Sequence, residues 1–153
     1  MKDRITCHIL DTAAGRPATG VRVRLELTAP AASDVHPQAT KKFESQTNED
    51  GRVTAWLPYS DSNASGDVPV YTLDDVLDKA EEEVKSTSES TEGKTADAPA
   101  LSTTWTLRFD TGGYYGPAAF FPEVAVTFRV NAGQHYHVPL LLSPYSYTTY
   151  RGS

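Results

Sequence analysis

The run Ile5-Thr6-Cys7-His8-Ile9-Leu10 puts Ile5, Cys7 and Ile9 at every second position and leaves Thr6, His8 and Leu10 between them. Successive side chains leave a β-strand on opposite faces, so this spacing predicts a strand with one regular apolar face. The same period recurs further on. Val21, Val23, Leu25 and Leu27 alternate with Arg22, Arg24 and Glu26, and Trp105, Leu107 and Phe109 alternate with Thr106 and Arg108. Val124, Val126, Phe128 and Val130 alternate with Ala125, Thr127 and Arg129. Turn clusters separate these runs, among them Ala14-Gly15-Arg16-Pro17, Asn48-Glu49-Asp50-Gly51 and Asn131-Ala132-Gly133. Strand-like runs near 5–10, 21–28, 41–47, 52–57, 104–110, 123–130, 135–142 and 145–151 predict an all-β, eight-stranded antiparallel sandwich. Gly112 to Gly116 reads as a turn or short helix between two of the strands.

One region breaks the period. Leu73, Val76, Leu77, Ala80 and Val84 fall at helical spacing, and Thr72 precedes Asp74 and Asp75 as an N-cap precedes first-turn acids, which predicts an amphipathic helix over about 72–85. Ser86 to Thr95 holds Ser or Thr at six of ten positions, which predicts a mobile loop extending to about residue 100. Helix and loop together read as an insertion over about 60–103 in a single domain spanning 1–153. Such an insertion is a solvated appendage or, alternatively, a helix that docks a partner.

Charge follows the same division. Residues 71–100 hold nine acidic and three basic side chains and carry the whole net charge of −6; the remainder has 11 of each sign. The body therefore has no basic stripe for nucleic acid or anionic lipid. With 153 residues and 39% hydrophobic content, the chain can bury a core without staples, and the lone Cys7 excludes an internal disulfide. No run is long and apolar enough for a membrane helix, and no apolar signal core follows Met1-Lys2-Asp3-Arg4. A cytoplasmic protein is expected, with the peroxisome less favoured because Arg-Gly-Ser is not a Ser-Lys-Leu address.

Three histidines lie in predicted strands. In the run 52–57, Val53, Ala55 and Leu57 are expected to face the core and Arg52, Thr54 and Trp56 to face out. In 135–142, Tyr136, Val138, Leu140 and Leu142 oppose His135, His137, Pro139 and Leu141. His8, Arg52 and His137 thus share outward faces with Leu10, Trp56 and Leu141, and large apolar side chains grouped there predict a partner subunit covering the sheet. Polar groups at a covered face line a cleft, a common place for a ligand site. His36 in its Ser33–Pro37 loop reads as a surface residue. His135-x-His137 has the spacing of a metal pair, but no third ligand is near in sequence and Cys7 faces away from His8, so no metal is expected. Phosphate-binding loops, a G-x-S-x-G elbow and H-E-x-x-H are all missing from the sequence.

Ile5-Thr-Cys-His-Ile-Leu-Asp-Thr12, Gly15-Arg-Pro17, Gly51-Arg52, His135-Tyr-His-Val-Pro-Leu-Leu-Leu-Ser-Pro144 and the terminal Tyr150-Arg-Gly-Ser153 together resemble the 5-hydroxyisourate hydrolases of the transthyretin-like proteins. With 104–121 and 123–130 the resemblance covers nearly everything outside about 60–103. It implies a homotetrameric sandwich with cofactor-free active sites at the interface between dimers. His8, Arg52 and His137 match the family's catalytic positions, and Tyr150, Arg151, Gly152 and Ser153 match the tetrapeptide that closes the site over the substrate. Arg151 alternatively pairs with a carboxylate. The implied reaction is metal-free hydrolysis of 5-hydroxyisourate, a purine-derived small molecule. The hormone-carrying branch lacks the His/Arg/His set, which disfavours a carrier or binding module. A third possibility is an interaction domain working through the acidic helix.

Overall fold

The computed structural model describes residues 3–29, 42–59, 73, 77, 102–131 and 133–152. Its strands are β1 (Ile5–Asp11), β2 (Arg16–Pro17), β3 (Arg22–Ala29), β4 (Lys42–Gln46), β5 (Arg52–Val53), β6 (Leu57–Tyr59), β7 (Ser102–Phe109), β8 (Val124–Asn131), β9 (Tyr136–Leu142) and β10 (Tyr147–Thr149). One five-stranded sheet runs β10-β9-β1-β2 with β5 also paired to β1; the other runs β6-β4-β3-β7-β8. The alternation read in the sequence is the alternation of burial. Ile5, Cys7 and Ile9 are fully buried, as are Leu25, Phe43, Trp105, Leu107, Phe109 and Leu140, so the inward rows of the strands make one core. Burial raises the Cys7 thiol to about 12, which leaves it a small inert core residue.

A short helix, α1 (Thr111–Tyr115), joins β7 to β8, and the Asp110 carboxylate caps it by accepting from Gly113 N. Asp11, at the end of β1, is buried and satisfied: its carboxylate accepts from Ala13 N at 3.0 Å, Ala14 N at 2.9 Å and Tyr114 Oη at 2.9 Å. Burial pushes this carboxyl up, but those donors outweigh it and hold it below the usual carboxylate range. The contact fastens α1 to the sheet that carries His8.

Two features differ from the sequence expectation. The run 52–57 is not one strand: Arg52 and Val53 pair with β1, after which the chain crosses to the other sheet and Leu57 to Tyr59 pair with β4. The crossing resets the faces. Trp56 is 6% exposed and donates its indole N–H to Ile5 O at 2.7 Å, whereas Ala55 is exposed and Leu57 is 69% exposed. A large ring with a single donor is best placed where the ring is dry and the donor has a carbonyl, and the open crossing permits it. Secondly, β1 and β9 run parallel, from Ile5↔Tyr136 to Asp11↔Leu142, while the other ladders are antiparallel. Of the helix expected over 72–85, Leu73 and Leu77 are described; both are helical and buried, at 1% and 0% exposure. The rest of that helix, the loop expected over 86–100 and His36 lie outside the described residues.

Candidate active site

The outer face of the first sheet collects the polar side chains of β1, β5 and β9. Thr6, His8 and Leu10 are half-buried there, as are His137 and Leu141. His8 and Arg52 are direct register partners, and the His8 and His137 rings lie 6.3 Å apart, tilted by 37°. Three of the residues singled out in the sequence therefore converge on one patch. His135 does not join them: it precedes β9 and is exposed.

The turn Asn48–Arg52 builds one side of the patch. Asn48 Oδ1 accepts from Asp50 N at 2.9 Å and from Arg52 N at 3.0 Å, an Asx arrangement that folds the chain back and delivers Arg52 to β1. Gly51 N donates to Asn48 O at 2.9 Å and Gly51 O accepts from Ile9 N at 2.7 Å. With the turn so fixed, the Asp50 carbonyl stands 2.9 Å from His8 Nε2. A carbonyl only accepts, so His8 carries its proton on Nε2, and in the neutral ring Nδ1 is the basic nitrogen.

Electrostatics favour that neutral ring. Partial burial, and after it the Arg52 guanidinium, hold the His8 imidazole below its ordinary 6.5, against the opposing pull of the Asp50 carbonyl. The folded protein binds the His8 proton less readily than the unfolded chain does. The His8 contribution to stability is thus complete above pH 6.5 and is lost as pH falls through the lowered value. In an NMR titration, His8 is expected to titrate below 6.5, and Arg52→Gln to move its midpoint upward without fully restoring it, because burial persists. An unmoved midpoint in Arg52→Gln would remove the guanidinium from this account.

The C-terminal segment forms the opposite side. Thr149 Oγ1 donates to Pro139 O at 2.8 Å, and Gly152 N donates to His137 O at 2.8 Å in an isolated bridge. A Cβ at Gly152 would stand 2.7 Å from His137 Cδ2 and 3.2 Å from Pro139 Cγ, so glycine is what lets the chain lie this close. The Arg151 guanidinium sits 4.8 Å from the centroid of the Tyr136 ring, a cation–π partner that the sequence reading did not foresee. Tyr150 is exposed, and Ser153 lies outside the described residues. A groove of about 520 Å³ opens between β8 and β9, lined in part by Phe128, Tyr136, His137, Tyr150 and Arg151. His8 and Arg52 do not line it, so His137 is the residue common to the groove and the His/Arg cluster.

The place of Thr6 on the His8 face was legible in the sequence, but its contact with His137 was not, because it depends on the parallel register that sets the two residues opposite each other. Its hydroxyl lies 2.8 Å from His137 Nδ1.

Two five-stranded sheets joined in this order, with a His/Arg/His cluster on one outer face, define a transthyretin-like β-sandwich protein. The HIUase/Transthyretin family model matches residues 5–152, and the chain belongs to that family. The probable 5-hydroxyisourate hydrolase of Schizosaccharomyces pombe is 35% identical, over 97% of this chain and 90% of that protein. The 5-hydroxyisourate hydrolase of Mus musculus is also 35% identical, over 97% of this chain and 94% of its own length. Among solved structures, Klebsiella pneumoniae 5-hydroxyisourate hydrolase superposes with a TM-score of 0.53 at 23% identity, covering 97% of this chain and 98% of that one; this likeness concerns the fold.

Proposed function

We propose that this protein is the 5-hydroxyisourate hydrolase of urate degradation, opening the six-membered ring to give 2-oxo-4-hydroxy-4-carboxy-5-ureidoimidazoline. Near-full-length relatives named for that activity support the reaction. The observation that carries the site is the pairing of two imidazoles 6.3 Å apart with Arg52 in register beside His8.

Hydrolysis of the ring's acyl C–N bond consumes one water. A base removes a water proton as the oxygen adds to the carbonyl carbon, giving a tetrahedral oxyanion. Its collapse breaks the C–N bond, and the departing ring nitrogen takes up a proton. In this reading His137 accepts the water proton and His8 orients the water or returns a proton to nitrogen. Arg52 holds the substrate's oxygens and the charge of the tetrahedral state. No step calls for a metal or cofactor.

The assembly belongs to the same proposal. The outer face keeps Leu10 and Leu141 half-exposed, and Phe120, Tyr145, Tyr147 and Tyr150 are exposed large side chains at the neighbouring loop and C-terminal segment. A homotetramer that covers this face between dimers would bury them and close each site. Tyr150 to Gly152 then border the substrate, with Arg151 stacked on the Tyr136 ring. Deleting Arg151 to Ser153 removes the Gly152–His137 bond and this cation–π contact, and is expected to lower kcat/KM by at least about tenfold. An unchanged rate would make the segment ornamental.

The activity is tested by generating 5-hydroxyisourate from urate with urate oxidase, adding the protein with and without a chelator, and following the decay of ultraviolet absorbance. Acceleration that survives the chelator supports the metal-free hydrolase. Saturable binding without acceleration would replace it with a carrier.

A further inference from the structure

We propose that Thr6 is a positioning residue for His137, accepting its Nδ1–H so that Nε2 is the nitrogen that takes the proton from water. The inference rests on the hydrolase reading for its kinetic consequence and on geometry alone for the tautomer.

Thr6 and His137 face each other across the parallel β1–β9 ladder, a pairing that fixes both backbones before either side chain is placed. Thr6 Oγ1 lies 2.8 Å from His137 Nδ1 and 3.4 Å from Tyr136 O. A hydroxyl has one hydrogen and room to accept. The carbonyl of Tyr136 can only accept, so it gives the Thr6 hydrogen a place to point when the oxygen receives Nδ1–H. The chain Nδ1–H to Oγ1–H to O=C then sets the ring plane and leaves Nε2 basic. The same chain matters more once the proton has moved. An imidazolium carries hydrogens on both nitrogens, and Thr6 supplies an acceptor for the one that faces the sheet. The logic is that of any base oriented by a third group.

His8 is arranged in the opposite sense. Its Nε2–H is held by the Asp50 carbonyl, which makes Nδ1 its basic nitrogen. Two backbone carbonyls, one acting directly and one through a threonine, thus give the two histidines opposite tautomers. Among the described residues, the charged and titratable groups near His137 include His8, with Arg52 as its register partner, and Arg129 and Arg151, which line the same groove. These groups are cationic or become so on protonation, and Thr6 offers the imidazolium a neutral acceptor on the side of the sheet.

The test compares Thr6→Val, which keeps the branched shape and loses the hydroxyl, with Thr6→Ser, which keeps the hydroxyl. Turnover of 5-hydroxyisourate made in situ is followed across pH, and the tautomer of His137 is read from the ¹⁵N shifts of its ring. The wild-type protein is expected to show His137 as the Nδ1–H form. Thr6→Val is expected to shift the ring toward Nε2–H, to lower kcat about tenfold with little change in KM, and to move the acid limb of the rate profile to lower pH. Thr6→Ser is expected to restore all three. A wild-type His137 found as Nε2–H, or a Thr6→Val protein with unchanged ring shifts, would overturn the proposal. A loss of rate in Thr6→Val that Thr6→Ser fails to restore would also overturn it, by marking a packing defect. If the wild-type protein does not accelerate ring opening, the hydrolase reading fails while the ring shifts still decide the role of Thr6.

Discussion

His137→Ala is expected to lower kcat/KM for 5-hydroxyisourate by roughly 10²–10⁴, the range that loss of a positioned general base produces. The size follows from what remains. His8 is 6.3 Å away, centroid to centroid, with its Nε2–H committed to the Asp50 carbonyl, so it is poorly placed to act as base and proton donor at once. Arg52→Ala is expected to cost about 10²–10³, as removal of a preorganised group at a developing oxyanion does. Arg52→Lys separates charge from geometry: a point charge cannot reproduce a planar fork, and only partial recovery is expected. Because the three groups act as a unit, the double variant His8→Ala/His137→Ala should be little worse than His137→Ala alone. Absorbance decay measures these rates, and size-exclusion chromatography checks that each variant assembles as the wild type does. Near-normal turnover in an assembled His137→Ala or Arg52→Ala protein would sink the assignment of that residue.

The strands and the face that carries His8 were legible because one physical rule covers both. A period of two that buries Ile5, Cys7 and Ile9 must turn Thr6, His8 and Leu10 to the other side, and burial follows that order along all of β1. The rule fails where the chain changes sheets. Val53, Ala55 and Leu57 have a strand's spacing, yet β5 ends at Val53 and four residues later, at Leu57, the chain pairs with β4. Side-chain pattern reports a local period; it does not report which ladder a short run joins. Trp56 is decided by its single donor finding Ile5 O, a long-range event with no local trace. The site shows the same division. His8, Arg52 and His137 were visible as side chains, and the family resemblance added their roles. The Asp50 carbonyl that fixes the His8 tautomer carries no residue signature, and Thr6 gains its partner only through a ladder between residues 131 positions apart. Arg151 was expected on substrate or on a carboxylate; its stack on Tyr136 depends on the turn that brings the last residues back over β9.

Gly51→Val is expected to combine the loss of stability of a core lesion with the loss of activity of a site lesion. Gly51 has φ +72°, a conformation that a β-branched residue adopts only at a cost. A Cβ there would also collide with the Ile9 carbonyl oxygen, the acceptor for Ala18 N, and would press on Ala18 N and on Pro17 Cβ, each at 3.1 Å. Those contacts are backbone or a ring with no rotamer, so the turn itself must move. Strain and displacement together are expected to cost about 2–4 kcal/mol, lowering the melting midpoint by very roughly 4–16 °C for a chain of this size. The turn that moves carries Arg52 and the Asp50 carbonyl, so kcat/KM should fall by about a hundredfold or more even at temperatures where the variant remains folded. Gly15→Ala is the matched control, with φ +69° and no atom within 4 Å of its would-be Cβ. It should lose only about 1 kcal/mol and keep its rate. Calorimetry and the absorbance assay on both variants separate strain from steric displacement. A Gly51→Val protein with the stability and rate of the Gly15 control would show that the turn yields without moving Arg52, and positioning by this turn would have to be abandoned.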